Sequence, residues 1–241
     1  MSGTNFWNNS RIVYNITLSG IFFALVLIFQ SFFSLFSIFG FLNINFTIVF
    51  IIILALVSNF KYALILLILR FIIGPAINSG YSEIGILGHF ILLVSDVFFI
   101  LFFTFAYYVL LTWKQIKLNK YIILIISSIT ATIFNAFWMV FLNGLIFTPL
   151  FFALLGQNSA NFLFYMQPQI WNSLKGLFFN INTYWGGIFT LYTAFNLINF
   201  SLVSILFSSI TIALFKAKII ENFDLKTFYF QKNFKKLKMN K

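Results

Sequence analysis

The chain has 241 residues, of which 61% are hydrophobic and only 8% charged, so little sequence is left for a soluble domain. A formal net charge of +11 would suggest a nucleic-acid partner in a soluble protein. Here the cations flank long apolar runs, where anionic lipid headgroups attract them, so we expect membrane lipid and no nucleic acid as the partner. The chain contains no cysteine, which excludes disulfides and thiol chemistry within it.

Six apolar runs follow one another along the chain, at about 14–39, 44–59, 61–74, 84–112, 121–147 and 189–215. If each run crosses a membrane once, all but two of the fifteen lysines and arginines fall on one side, the exceptions being Arg70 and Lys175. Short cation-rich loops stay in the cytoplasm. The pattern therefore predicts an all-α integral membrane protein of the cell (plasma) membrane, a multi-pass bundle of six transmembrane helices with both termini cytoplasmic. Residues 1–218 would form the membrane domain, and residues 219–241 a basic cytoplasmic tail.

The second and third runs are each shorter than the ~20 residues that a spanning helix usually needs. A single helix of about 30 residues is the alternative, but it would place Lys61 at the centre of the bilayer, at a cost on the order of 2.5–3.5 kcal/mol. It would also put the later lysines outside. Two short helices that meet at residues 58–61 are therefore the preferred interpretation.

The segment 148–187 is too polar to be a seventh span, and the six-span threading puts it on the outer side. A connection of this length is usually functional or disordered. Its many apolar side chains lead us to expect that it folds down on the bundle, either as a lid over an outer site or as passive packing at the membrane interface.

Ionisable groups are scarce, and this excludes most catalytic chemistry. The sequence has no phosphate-binding loop, and its single histidine cannot form a His-rich zinc site. We therefore expect that the protein is not an enzyme and that it binds no metal or cofactor. Charges inside a membrane tend to face the bundle interior, where Asp96 is either a functional group or a polar clamp between helices. Arg70 is the candidate cation to form an ion pair with Asp96, although it would reach Glu83 more easily.

Four short motifs resemble the riboflavin-specific S components of energy-coupling factor (ECF) transporters. Asn143-Gly-Leu-Ile-Phe-Thr-Pro149-Leu-Phe151 is similar to the asparagine and T-P-L-Y that close the fifth helix of that family. Ala194-Phe-Asn-Leu-Ile-Asn199 resembles its P-F-N-L-I-K, and Gly85-Ile-Leu-Gly-His-Phe90 something like G-E-L-A-N-F. Gly20-Ile-Phe-Phe-Ala24 looks like the small-residue motif by which S components dock on their energising subunit. His89 and Asn199 stand where the family has asparagine and lysine.

The resemblance implies a subunit that binds riboflavin or a related small vitamin at the outer face. It would pass the vitamin inward together with a transmembrane coupling subunit and two cytosolic ATPase subunits. The ligand-binding residues would be Asn143, Asn199, Asn196, His89 and Trp138, and the partner-docking residues Gly20 and Ala24. The residues alone leave two other classes open, which are an autonomous secondary carrier that relays protons through Asp96 and His89, and a non-transporting structural subunit of a membrane complex.

Overall fold

The computed structural model describes residues 3–33, 37–38, 42–112, 119–157 and 159–220. Almost all of this part of the chain is helical. In order, the elements are α1 (Gly3–Phe33), β1 (Ser37–Ile38), β2 (Leu42–Asn43), α2 (Thr47–Val57), α3 (Phe60–Asn78), α4 (Glu83–Thr112), α5 (Lys120–Leu142), a π-helical turn (Asn143–Phe147), α6 (Thr148–Leu154), α7 (Phe162–Tyr165), α8 (Pro168–Leu174), a 3-10 turn (Lys175–Phe178) and α9 (Tyr184–Lys216). Nearly all of the predicted basic tail, residues 219–241, lies outside the described residues.

Five helices within the described ranges are long and apolar enough to cross a membrane: Ile12–Phe32, Phe60–Asn78, Glu83–Thr112, Lys120–Leu154 and Tyr184–Lys216. This confirms the prediction of an all-α, multi-pass membrane protein. The predicted second span differs, because α2 has only 11 residues. At 1.5 Å per residue it is about 16 Å long, roughly half of the ~30 Å hydrocarbon core.

Helix α2 is short but central. Ile48, Ile51 and Leu54 have no exposed surface, and α2 packs against α1, α3 and α9. A helix that is hydrophobic on all sides belongs inside a protein, which explains why α2 needs no polar face. It ends at the predicted break, where the side-chain oxygen of Asn59 accepts a hydrogen bond from the Tyr62 amide and caps α3. Residues 47–78 are therefore not one continuous helix.

The other long helices form a bundle around α5, which packs against α4 on one side and α9 on the other, while α1 lies against α2 and α3. Stacked aromatic rings such as Phe99 and Phe200 fill the α4–α9 contact, with ring centroids 5.1 Å apart. Hydroxyl groups connect α5 to α9: Thr132 and Ser204 are 2.7 Å apart, and Ser208 donates to Ser128 at 3.3 Å. Such small polar residues let two helices approach closely inside a membrane.

The predicted outer loop begins later than the sequence indicated, because residues 148–154 continue the helix through the π-helical turn as α6. The rest folds onto the bundle, as expected. Trp171, Tyr165 and Phe178 are at most 1% exposed and pack against Ile188 and neighbouring residues at the start of α9. The Trp171 indole nitrogen donates to the Ile181 carbonyl oxygen at 2.8 Å, so the aromatic cluster is also tied to its own backbone.

Candidate functional site

A cavity of about 540 Å³ opens at one end of the bundle. Its walls come from the last turns of α1, α3 and α5 and from the first halves of α4 and α9, together with residues 42–45 just before α2. Three helices therefore end, and three begin, at this cavity end. Of the described lysines, Lys61, Lys120 and Lys216 stand at the other end of their helices, at the start of α3, the start of α5 and the end of α9, and Lys218 follows α9. We call this the lysine end. Lys175 is the exception, since it lies in the 3-10 turn between α8 and α9.

Four of the five residues predicted to bind a ligand meet in this cavity. Asn143 comes from the end of α5, Asn196 and Asn199 from α9, and His89 from α4, and each is at most 7% exposed. They come from three different helices and converge because α5 packs against both α4 and α9. An aromatic wall completes the site, made of Phe147, Phe151, Tyr192, Phe195 and Phe200.

Trp138, the fifth predicted ligand residue, is placed elsewhere. It is 42% exposed on the outer surface of α5 and packs on Phe98 of α4, with ring centroids 5.2 Å apart. The cavity face of α5 carries Met139 and Asn143, four residues apart. Trp138 precedes Met139 by one residue, which turns it about 100° away from that face. Trp138 therefore does not line this cavity, and it is not placed to stack on a ligand bound there.

The end of α5 is reshaped by its π-helical turn, Asn143–Phe147. Such turns are frequently found at functional sites, because the extra residue redirects side chains. The Asn143 amide nitrogen donates to the Met139 carbonyl oxygen at 2.7 Å, so its side-chain oxygen is the atom left for the cavity. Gly144 is required for close packing here: a Cβ at this position would lie 2.4 Å from the Trp185 ring of α9.

A buried polar network forms one side of the cavity and joins four elements. The Asn199 side-chain oxygen accepts from the Asn45 backbone amide at 2.9 Å, and the Asn45 side-chain oxygen accepts from the Thr47 hydroxyl at 2.6 Å. Arg70 in turn donates to the Thr47 hydroxyl oxygen at 2.6 Å and forms an ion pair with Asp96. Arg70 and Asp96 are 1% and 2% exposed, so each is the main compensation for the charge of the other.

Glu83 departs from its predicted role as a buried charge. It is exposed at the first position of α4, and Arg70 pairs with Asp96 instead. The reason is position, since Arg70 is eight residues before the end of α3 and so lies too deep in the bundle to reach the helix start at Glu83. Of the two acids, only Asp96 lines the cavity.

Several polar atoms at the cavity have no hydrogen-bond partner among the described residues. They are the Asn196 amide nitrogen, His89 Nδ1, and both the nitrogen and the oxygen of the Gln30 amide. Buried polar groups are nearly always paired, so unpaired groups that point at one cavity indicate a missing polar molecule, either a ligand or water. Sequence reasoning missed Gln30 and Asn45. The available signal was a lone glutamine within the apolar first run.

The cavity is bordered by two connections of different kinds. Among the described residues of the predicted outer loop 148–187, Phe151 alone lines it, so the described part of this segment packs mostly beside the cavity. Leu42 and Asn43 of the short β1–β2 hairpin line it from the other side, and Leu42 also touches the aromatic cluster around Trp171.

The predicted docking residues Gly20 and Ala24 lie one helical turn apart on an exposed face of α1, away from the cavity. A Cβ at Gly20 would meet nothing within 4 Å. Helix α1 is the most peripheral of the five long helices, because only 6% of its most apolar stretch is buried in the bundle. This face is available to lipid or to a partner helix.

Within the residues that the structure describes, no three histidine, aspartate or glutamate side chains come together to hold a metal ion. The chemistry of the site is that of hydrogen bonding by neutral amides and contact with aromatic rings. Such groups are suited to hydrogen bonding and stacking with a small molecule.

No family model matches the chain, and no solved structure matches it. Among curated proteins it is similar to one from Mycoplasma pneumoniae (strain ATCC 29342 / M129 / Subtype 1), "Uncharacterized protein MG350.1 homolog". The two are 34% identical over 212 residues, which cover 83% of this chain and 88% of the relative. That name carries no activity, so the functional argument rests on the site.

Proposed function

This chain belongs to the family of the Mycoplasma pneumoniae MG350.1 homolog, and we propose that it is the substrate-specific membrane subunit of an ECF-type vitamin importer. It binds riboflavin or a related small vitamin at the outer face of the cell (plasma) membrane. An ATP-driven coupling module, made of a transmembrane subunit and two cytosolic ATPase subunits, then completes its transfer inward.

The observation that carries the proposal is the cavity itself. Its volume of about 540 Å³ falls in the range of ligand pockets, ~300–1,000 Å³. Such pockets are mostly apolar, with a few polar groups that fix the ligand's orientation. Here Asn143, Asn196, Asn199 and His89 supply the polar groups beside aromatic rings, which suits a flat heterocycle with hydrogen-bonding edges.

The position of the lysines supports an outer location for the cavity. Lys61, Lys120 and Lys216 stand at the lysine end, opposite the cavity, and positively charged loops favour the cytoplasm. In the proposed topology the chain crosses six times, and the second crossing combines α2 with the non-helical residues 44–46 that precede it. Both termini are then cytoplasmic.

Energy must come from partners, because the sequence contains no phosphate-binding loop. The exposed face of α1 around Gly20 and Ala24 is our proposed contact for the transmembrane coupling subunit. Small residues one turn apart allow another helix to approach closely in a membrane.

One observation favours the second candidate, an autonomous secondary carrier: Asp96 lines the cavity together with His89. Proton relays in membranes are built from such groups. The ion pair with Arg70 weighs against it, because it already gives Asp96 a structural partner. We therefore prefer the importer subunit.

Affinity purification of the tagged protein from its own membranes, followed by native mass spectrometry, tests the proposal. We expect a bound vitamin, two ATPase subunits and a transmembrane subunit in the preparation, and quenching of riboflavin fluorescence if riboflavin is the ligand. A bound substrate without ATPases would favour the carrier. A multi-subunit complex that holds no small molecule would favour a structural subunit and overturn the proposal.

A further inference from the structure

Gln30 is a buried side chain whose polar atoms have no hydrogen-bond partner in the part of the chain that the structure describes. It lies near the end of α1, is 7% exposed and lines the cavity. Neither its amide nitrogen nor its oxygen has a partner among the described residues. Leaving both a donor and an acceptor buried and unpaired is destabilising, so a glutamine at this position is explained best by a partner from outside the chain.

Gly74 of α3 leaves space for a second unpaired polar side chain, His89, to lie beside Gln30. A Cβ at Gly74 would lie 2.5 Å from the Gln30 amide nitrogen and 2.8 Å from His89 Nδ1. Only a residue without a side chain leaves room for both, so three helices meet here to hold two polar side chains close together. His89 is also 7% exposed, and its Nδ1 is likewise unpaired in the described part of the chain.

The cluster offers a characteristic set of hydrogen-bonding atoms. The Gln30 amide supplies one acceptor and one donor side by side, and a neutral His89 Nδ1 serves as either, according to its tautomer. No lysine or arginine is among the described residues that line the cavity, and its one carboxylate, Asp96, is paired with Arg70. An anionic ligand group would therefore find no free cation, whereas the complement of a primary amide is another amide-like edge.

We infer that Gln30, with His89 beside it, recognises an uncharged –NH–C(=O)– edge of the ligand, as found in cyclic amides, imides and ureas. Gln30 accepts from the ligand N–H and donates to its carbonyl oxygen. The inference rests on the proposed function, because it assumes that the vitamin occupies this cavity. It makes Gln30 a specificity-determining residue.

Riboflavin and 3-methylriboflavin test this pairing from the ligand side, because the methyl group replaces the only imide N–H of the flavin ring. Binding is measured by quenching of flavin fluorescence with the purified full chain. We expect the wild-type protein to bind riboflavin about tenfold or more tightly than the methylated flavin, as for the loss of one buried hydrogen bond. The comparison needs no mutation, so it stays decisive if a variant fails to fold.

Gln30→Met tests the pairing from the protein side, since methionine keeps the length of the side chain and removes both polar atoms. We expect riboflavin affinity to fall about tenfold and the preference over 3-methylriboflavin to disappear. Ile28→Met is the matched control, because Ile28 is 62% exposed on the same helix, and it should retain both affinity and preference.

The outcomes separate this inference from the proposed function. Equal binding of the two flavins by the wild-type protein, or full riboflavin affinity in Gln30→Met, overturns the role of Gln30 and leaves the importer proposal standing. If native mass spectrometry finds a different vitamin, the same criteria apply: an –NH–C(=O)– edge and loss of the vitamin from Gln30→Met support the inference, and a vitamin without such an edge, or one that Gln30→Met retains, overturns it. A wild-type protein that holds no small molecule overturns both proposals.

Discussion

Asn143 lines the cavity, and because its amide nitrogen donates to the Met139 carbonyl oxygen one turn earlier, its side-chain oxygen is the acceptor that it can offer a ligand. Asn143→Ala removes that oxygen, and a ligand group that donates to it would lose about 1–3 kcal/mol. We therefore predict that binding weakens roughly 5- to 150-fold, as measured by flavin fluorescence or by equilibrium dialysis of the identified vitamin.

Trp138→Ala is the control on the same helix, because Trp138 lies on the outer surface away from the cavity. Its binding affinity should match that of the wild-type protein. Unchanged affinity in Asn143→Ala, with normal expression and thermal stability, would move the ligand to another part of the cavity. Asn199 and His89, which differ from the resembling family, should give smaller losses.

The ion pair between Arg70 and Asp96 makes a prediction about stability. Replacing one partner, as in Arg70→Met or Asp96→Asn, leaves the other charge buried and should lower the free energy of unfolding by about 3–5 kcal/mol. The double variant Arg70→Met/Asp96→Leu buries no charge and should be more stable than either single variant. Denaturant titration in detergent measures all three. Additive losses would show that the two charges do not depend on each other.

At the scale of single residues, the sequence predicted which polar side chains lie near one helix end but not which way each one faces. Asn143, Asn196, Asn199 and His89 were found from their positions, and the structure brings them together. Trp138 was misplaced because an apolar helix has little hydrophobic periodicity to separate its faces. Gln30 was missed because its partners, Gly74 and His89, come from other helices and no spacing along the chain connects them.

Helix α1 is the least buried of the five long helices, and its prediction concerns docking. Gly20→Leu or Ala24→Leu should prevent the close approach of a partner helix. We expect transport and copurification of the ATPase subunits to fall while the isolated protein still binds its ligand. Ile16→Leu, an exposed substitution one turn earlier that adds no bulk, is the matched control.

If the ATPase subunits copurify with Gly20→Leu and Ala24→Leu at the wild-type level, this face is excluded as the docking surface. Simultaneous loss of ligand binding and assembly would instead indicate misfolding, because Gly20 and Ala24 do not line the cavity. Thermal unfolding of each variant, compared with Ile16→Leu, distinguishes these results.

The elements themselves were largely predictable, because long apolar runs and lysine-bearing ends identify helices in a membrane. The break before α3 could be predicted, because a continuous helix would place the charge of Lys61 at the centre of the bilayer. The shortness of α2 could not, since residues 44–46 read as part of the same mostly apolar run although they lie outside the helix. Asn45 explains the difference: its side chain bonds to Thr47, and its amide to Asn199 of α9, a contact visible only in the folded bundle.

For the whole molecule, the prediction is a six-crossing topology with both termini cytoplasmic. Single cysteines introduced into this cysteine-free chain at Gln157 or Asn182 should react with an impermeant thiol reagent in intact cells. Those at Lys61 or Lys216 should react only after permeabilisation. All four side chains are exposed in the structure, so a difference in labelling reports sidedness and not burial. Labelling of Lys216→Cys from outside would contradict the topology.

The non-helical residues 44–46 have a consequence for the solvent inside the bundle. Because α2 covers only about half the thickness of the hydrocarbon core, these residues carry non-helical backbone to membrane depth. Such backbone is tolerated only where it is enclosed by protein or borders water. Ile44 and Asn45 do line the cavity, so without a ligand it must hold water, on the order of ten or more molecules for its volume. A ligand that enters the cavity must displace this water. Its affinity is therefore set by how well its polar edges replace the hydrogen bonds that the displaced water made.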